Sequence, residues 1–357
     1  MTHAASAQFI REAHAAVRDL VHPRPVIYWI DFLLTTLVAY AAFAVYISGR
    51  FPLIVQASAF VVSGLAMYRA VVFIHEIVHQ RAGSLRGFGV VWNLLCGVPL
   101  LVPSFMYTNH YGHHSHDAYG TWADPEYLLR TSSWRFRVVA FLLLPLIYPV
   151  LPFLRFLVVT PLAAVSRRVD AVLWRFGSSL YVMNEFYRRE PDAASASASR
   201  WVQEGLCALW AWTILVLTVT GTIPLSAIAG TYLLFAFWMF VNQLRTLVSH
   251  RYVSGGAAPV SYLDQVLDTR TFIRGRVWPH LWAPLGLRYH ALHHLLPAMP
   301  YHSMGAAHRR LVVALPEGSP YHQTFAPGLW PVFAASFRDL ARARPPETQP
   351  VRTSAVP

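Results

Sequence analysis

Three short stretches of histidine could do chemistry together. Tyr289-His290-Ala291-Leu292-His293-His294 places imidazoles at i, i+3 and i+4, positions that share one face of a helix. His110-x-x-His113-His114 repeats the pattern, and His75-x-x-x-His79 has the i, i+4 spacing. Imidazole suits iron, zinc, copper and nickel. Thiolate ligation is not expected, because Cys96 and Cys207 both lie inside apolar runs. The chain has 17 histidines. For a lone one the ordinary reading is a hydrogen-bonded structural residue, and that covers His3, His14, His22 and His322, and also His280, His302 and His308. Clusters are different. Many neutral imidazoles facing one another at a membrane boundary cost free energy unless they are paired, so metal binding is expected.

The metal is not settled by the boxes alone. His75-Glu76-x-x-His79 matches the zinc-peptidase pattern, in which the glutamate activates a zinc-bound water. One zinc, however, needs only three protein ligands and an open position, which leaves two boxes unexplained. Eight or nine histidines suit two metals, each with an open position of the kind oxygen activation requires. Glu76 then reads better as a carboxylate that orients an imidazole. A non-catalytic metal carrier is a rival of another class. It predicts ionisable residues deep within membrane crossings, whereas Asp31, Arg69 and Arg245 lie toward the ends.

The elements that must position these boxes read as a membrane scaffold. Of 357 residues, 55% are apolar and only 13% charged, against about 25% charged in a soluble domain. The expected fold is an all-α integral membrane protein. Four transmembrane helices form two hairpins: Val26–Ile47 with Leu53–Ile74, and Leu206–Thr220 with Ile223–Val248. Interfacial or re-entrant helices and a cytosolic histidine-rich cap complete it. Residues 88–105 are apolar but carry Gly97, Pro99 and Pro103, which suggests a re-entrant segment. Residues 138–164 contain Pro145, Pro149, Pro152 and Pro161. A single crossing there would put the third box on the opposite side from the first two, so a shallow hairpin broken at the prolines is preferred.

All 29 basic residues are arginine, and net charge is +12. The first explanation is an arginine excess on cytoplasmic loops: residues 165–200 and the region after 248 are Arg-rich, while the two short turns contain only Arg50. Both termini and all boxes are therefore expected in the cytoplasm, in a bacterial inner membrane. Attraction of an anionic headgroup, coenzyme A or an acidic carrier protein is the second explanation; no nucleic-acid partner is expected. No secretory signal peptide is expected either. Residues 1–25 read as a short polar helix at the surface, residues 26–315 as the membrane domain with the metal site, and residues 316–357 as a C-terminal tail whose end is disordered.

In their order and placement the boxes resemble those of the membrane fatty acid desaturase superfamily: H-x(3,4)-H, then H-x-x-H-H, then a second H-x-x-H-H after another transmembrane hairpin. The resemblance covers about residues 30 to 315, and Asn242–Tyr252 and Gly286–Pro297 look like its bacterial members. It implies a non-haem di-iron oxygenase with O₂ as co-substrate. Residue by residue, His75, His79, His110, His113, His114, His290, His293 and His294 match the family's ligands. His250 resembles an extra ligand found after the fourth crossing in some members. Some members also place an asparagine four residues before that histidine, where it holds a water; here that position is Thr246, with Asn242 a turn earlier, which puts the role in doubt. His116 is a further candidate ligand. Asp124, Glu126 and Asp264 are candidates to support the ligands from behind.

The resemblance implies desaturation of a fatty acyl chain, in acyl-lipid or acyl-thioester form, within unsaturated fatty acid biosynthesis. The alternative is hydroxylation or ketolation of a lipid or carotenoid at the same centre, since both begin with C–H abstraction. An apolar channel must hold the reacting carbon beside the metals. Trp92, Trp278 and Trp282 are candidates to line it, membrane-interface belt positions being the other reading. No flavin, dinucleotide, iron–sulfur or fused haem signature is evident. A separate ferredoxin-type or haem electron donor and its reductase are therefore implied.

Overall fold

The computed structural model describes residues 3–342 apart from 82, 132 and 181. A first helix, α1 (His3–Val17), precedes two long apolar ones, α2 (Pro25–Ile47) and α3 (Leu53–His79). Pro25 opens α2 where its missing N–H costs nothing. Next come α4 (Phe88–Trp92), which continues as a π turn over Asn93–Gly97, and α5 (His110–His114). The prolines break the following apolar stretch into α6 (Trp134–Leu143), α7 (Val150–Leu154) and α8 (Thr160–Val165), and the two arms meet at a 65° bend. Ser166 caps α9 (Arg167–Gly177). A second long hairpin follows, α10 (Ala198–Val219) and α11 (Leu225–Ser249). The rest is a helical cap: α12 (Tyr262–Asp268), α13 (Trp278–Trp282), α14 (His290–Leu295), α15 (Tyr301–Ala314), α16 (Pro320–Gln323) and α17 (Leu329–Arg342). Two short strands, β1 (Thr271–Phe272) and β2 (Phe325–Ala326), pair in parallel.

Among the described residues, α2, α3, α10 and α11 are long and apolar enough to cross a membrane, as the hydropathy pattern predicts. α3 and α11 run closely side by side, because Gly64 leaves room: a Cβ there would lie 2.4 Å from the Phe237 ring. The start of α11 touches the end of α2, where a Cβ on Gly230 would meet Ile47 at 2.7 Å. Both tight turns therefore sit at one end of the bundle, and the last turns of α3 and α11 sit at the other, with the histidines.

The bent segment does not cross. Before it, Glu126 contacts His110; after it, the Met183 amide donates to Pro125 and the Arg189 guanidinium to Phe105, again at the histidine end. Between them the bend reaches inward as far as Tyr232, whose hydroxyl donates to the Leu146 carbonyl at 2.6 Å. It is a re-entrant hairpin. A buried ion pair fastens it: Arg155 makes a bidentate pair with Glu204 of α10 at 2.8 and 2.7 Å.

Two expectations about the chain ends need correction. α1 is not simply a surface helix, because Phe9, Ala13 and Val17 are buried against the cap core with Leu292, Leu295 and Leu311. Residues 316–342 are not a tail. β2 pairs with β1, and Leu329 and Val332 pack into the bundle core. Residues 343–357, where disorder was expected, lie outside the described residues.

Candidate metal centre

Four elements bring nine imidazoles to one place. α3 carries His75 and His79 on its last turns, α5 carries His110, His113 and His114, His250 directly follows α11, and α14 carries His290, His293 and His294. Seven of the nine are buried, and His79 and His114 are half-buried. They divide into two groups. His75, His79, His110, His114 and His293 form one; His113, His250, His290 and His294 form the other. Within each group the ligand atoms lie within 4.8 Å of one another.

Each H-x-x-H-H box serves both groups, in opposite senses. In box two, the i, i+4 pair His110 and His114 joins the first group and His113 the second; in box three, His290 and His294 join the second and His293 the first. Residues four apart stack on one face, while the i+3 member is rotated toward the other group. Sequence spacing shows a common face but not this division.

The nitrogens fit a metal. Nε2 to Nε2 distances are 3.1 Å for His110–His114 and His114–His293, 2.8 Å for His250–His290 and 3.3 Å for His113–His250. A metal about 2.1 Å from each nitrogen separates neighbouring ligand atoms by about 3 Å. The Nε2 atoms of His75, His79 and His294 are buried and hydrogen-bond to none of the described residues. Such atoms are costly unless something else, such as a cation, occupies them.

Acidic and polar groups fix the rings from behind. His110 Nδ1 donates to Glu126 at 2.8 Å, and His113 Nδ1 to Asp124 at 2.9 Å. Asp124 is itself held by the Gly120 and Glu126 amides, both at 2.9 Å. Tyr119 donates its hydroxyl proton to Asp268 at 2.7 Å. It must therefore accept from His250 Nδ1, 3.0 Å away. In all three rings the proton sits on Nδ1, and the Nε2 lone pair faces the group. The Gln265 amide lies 3.1 Å from His294 Nδ1; a metal on Nε2 requires that amide to present its oxygen there.

Burial keeps these rings neutral. Desolvation first, then neighbouring imidazoles, depresses the basicity of His110, His114, His290, His293 and His294 well below the usual range. Burial brings His250 to about 4. His113 is the exception. Burial opposes its charge, but the Asp124 carboxylate and its hydrogen bond outweigh burial and raise it. Neutral rings are what a metal needs.

Other expected residues go elsewhere. Glu76 orients no imidazole; it accepts from the Tyr28 hydroxyl and the Tyr301 amide and so ties α2, α3 and the cap together. His116 is exposed and lies against Asp117. Asp264 is exposed and accepts from Ser261 at the start of α12. Asn242 accepts from Arg245 at 2.8 Å and lines a small cavity beside His75. Thr246 is buried, and its hydroxyl hydrogen-bonds to none of the described residues. Trp92 is a core residue donating to Ala70, Trp282 packs on Phe272, and Trp278 is exposed. Tyr119, Gln265 and Asp268 escaped the sequence reading. Gln265 and Asp268 stand three apart on one face of α12, which is a usable signal; Tyr119 has none.

The cavity beside His75 measures about 70 Å³ and an adjoining apolar one about 550 Å³; Pro152 and Phe235 line both. The larger lies between the two long hairpins and is walled by the re-entrant bend, with Met67, Leu101, Phe153, Trp210 and Leu234 among its lining. An apolar space thus leads from mid-bundle to the first histidine group.

The family model for fatty acid desaturases matches residues 51–325. The chain belongs to this family. It is also 36% identical, over 334 residues, to a ceramide hydroxylase of Caulobacter vibrioides, an alignment that covers 92% of this chain and 93% of that one. Membership agrees with the boxes and with the four apolar helices, and makes the chain an oxidoreductase of the desaturase/hydroxylase superfamily. The relative's name is that of a hydroxylase, which was the alternative to desaturation in the sequence reading.

Proposed function

We propose that this protein hydroxylates a membrane lipid of the ceramide class, using O₂ at a di-iron centre held by the nine histidines. One observation carries hydroxylation over desaturation: the near full-length identity to a ceramide hydroxylase. When bound, the irons would supply the oxidising power to break an unactivated C–H bond. One oxygen atom enters that bond and the other leaves as water, with electrons from a separate ferredoxin-type or haem carrier. The site lies at the cytoplasmic face of an inner membrane.

The chain's own residues would do the rest. His75, His79, His110, His114 and His293 would hold one metal, and His113, His250, His290 and His294 the other. Asp124, Glu126 and the Tyr119–Asp268 pair hold the Nδ1 protons of their rings and so aim Nε2 at the metal positions. The two cavities would take the hydrocarbon and exclude water, and the smaller one beside His75 would hold the reacting carbon.

Lipid mass spectrometry tests this. The full chain and its His293→Ala variant would be expressed in a bacterial host supplied with ceramide. Ceramide heavier by one oxygen only with the unaltered chain is the expected result. Lipid lighter by two hydrogens would replace the reading with desaturation.

A further inference from the structure

Tyr119, which ties His250, also begins a row that extends well beyond what holding a metal needs. Four aromatic side chains run away from the second histidine group in unbroken contact. Tyr119 lies 5.2 Å from the His113 ring and 5.5 Å from His294. Tyr127 is 5.2 Å from Tyr119, Tyr252 is 5.2 Å from Tyr127, and Trp134 is 5.7 Å from Tyr252, all between ring centroids. The three tyrosines are at most 2% exposed, whereas Trp134 is half-buried at the start of α6. The row therefore leads from the centre to the surface. Tyrosine and tryptophan are readily oxidised by one electron, and a phenol gives up its electron easily only if its proton has somewhere to go. Here it has: Tyr119 donates to the buried Asp268 carboxylate.

We propose that Tyr119, Tyr127, Tyr252 and Trp134 form a redox relay that drains oxidising equivalents from the histidine centre when no lipid C–H bond consumes them. This rests on the metal-centre reading above. In one event the Tyr119 O–H bond breaks, the electron passes to the centre, and the proton passes to Asp268 Oδ2. The tyrosyl radical takes an electron from Trp134 through Tyr127 and Tyr252, and takes its proton back from Asp268. The Trp134 radical loses its indole proton to water and is restored by a one-electron reductant from solution, such as ascorbate, with a proton from water. Without such a reductant it captures oxygen. The relay would protect the ligand histidines. Tyr111, also close to the histidines, makes a useful contrast: it is 56% exposed, its ring is 6.2 Å from His79, and its hydroxyl donates to the Val78 carbonyl, whereas Tyr119, the first residue of the row, donates to a carboxylate; Tyr252, whose hydroxyl donates to the Thr246 carbonyl, passes the electron without giving up its proton.

The test uses the full chain in nanodiscs, loaded with ferrous iron and cycled with dithionite and air in the absence of lipid substrate and ascorbate. Iron per chain and oxygen added at each residue are read by metal analysis and peptide mass spectrometry. Expected is iron-dependent oxidation of Trp134, severalfold above that of the exposed Tyr111 and Trp278. Tyr127→Phe and Tyr252→Phe should keep their iron, lose most Trp134 oxidation, and gain oxidation at His113, His250 or His294. Ascorbate should suppress the Trp134 product. Equal oxidation of Trp134, Tyr111 and Trp278, or unchanged Trp134 oxidation in both phenylalanine variants, would overturn the relay. Lipid turnover is no part of the readout: a chain that marks Trp134 but hydroxylates no ceramide keeps the relay and loses the proposed function. A chain that binds no iron loses both.

Discussion

The five-histidine and four-histidine groups are cut from the same boxes but are held differently. In the four-histidine group, three rings are tied from behind: His113 by Asp124, His250 by Tyr119 and Asp268, and His294 by Gln265. In the five-histidine group Glu126 ties His110, while Nδ1 of His114 and of His293 is buried without a hydrogen bond to any described residue. The less tied group borders the apolar cavity, through His75. Tied ligands are stronger and less mobile. The contrast suggests one metal position fixed by the cap and a second, on the substrate side, free to adjust as lipid enters.

The largest expected effects remove a ligand. His293→Ala and His290→Ala should each abolish product formation while the chain stays folded in the membrane. Because each takes a ligand from a different group, each should lose about half the bound iron. Metal analysis with circular dichroism reads both. Loss of all iron in either variant would mean that the two groups load as one, and the comparison above would fail. Next come the carboxylates. Asp124→Asn and Glu126→Gln each remove a charged acceptor behind one ligand, which weakens metal affinity by about 10–100-fold. The asparagine variant should weaken the four-histidine group and the glutamine variant the five-histidine group. A competing chelator titration separates them, and identical behaviour would show that the carboxylates do not act group by group.

The difference between the groups was hard to see in sequence for a physical reason. Spacing of three and four residues says which side chains share a helix face, and so the nine histidines were legible as a set. The four crossings were equally legible, because bilayer thickness dictates their length. The re-entrant bend was legible through its prolines and through the need to bring three boxes to one side. What could not be read is which metal position each imidazole serves, because a rotation of roughly 100° per residue decides it only once α3, α5 and α14 are docked. Glu76 misled because it sits beside His75 in sequence, yet neighbours on a helix face different ways; its side chain reaches Tyr28. Asp268 and Tyr119 are about 150 residues apart and meet only in the fold. The C-terminal segment was misread although Leu329, Val332, Phe333 and Phe337 recur at helical spacing, because the Arg- and Pro-rich stretch that follows was taken to extend back over it.

A smaller effect, but one that sharpens the comparison, is pH. Asp124 raises the basicity of His113, whereas the basicity of His110, His114 and His293 is depressed. A raised value means that the proton is held at higher pH, and a proton on Nε2 excludes a metal. As pH falls from about 8 to about 6, the four-histidine group should therefore release iron to a chelator first, while the five-histidine group, whose rings resist protonation, keeps its share. Simultaneous release over that range would contradict the assignment of Asp124 to one group only.

The smallest effect concerns His116, two residues beyond box two. If proximity in sequence made a ligand, His116 would be as good a candidate as His114. The fold separates them. α5 ends at His114, Ser115 leaves the helix at ψ 135°, and the chain turns outward so that the His116 side chain is 67% exposed beside Asp117. An exposed imidazole next to one exposed carboxylate contributes little to stability, and its loss leaves no buried atom unpaired. His116→Ala should therefore match the unaltered chain in iron content and in lipid product. Matched iron with lost product would instead mark His116 as part of the surface where the electron carrier docks, which would enlarge the site outward rather than inward.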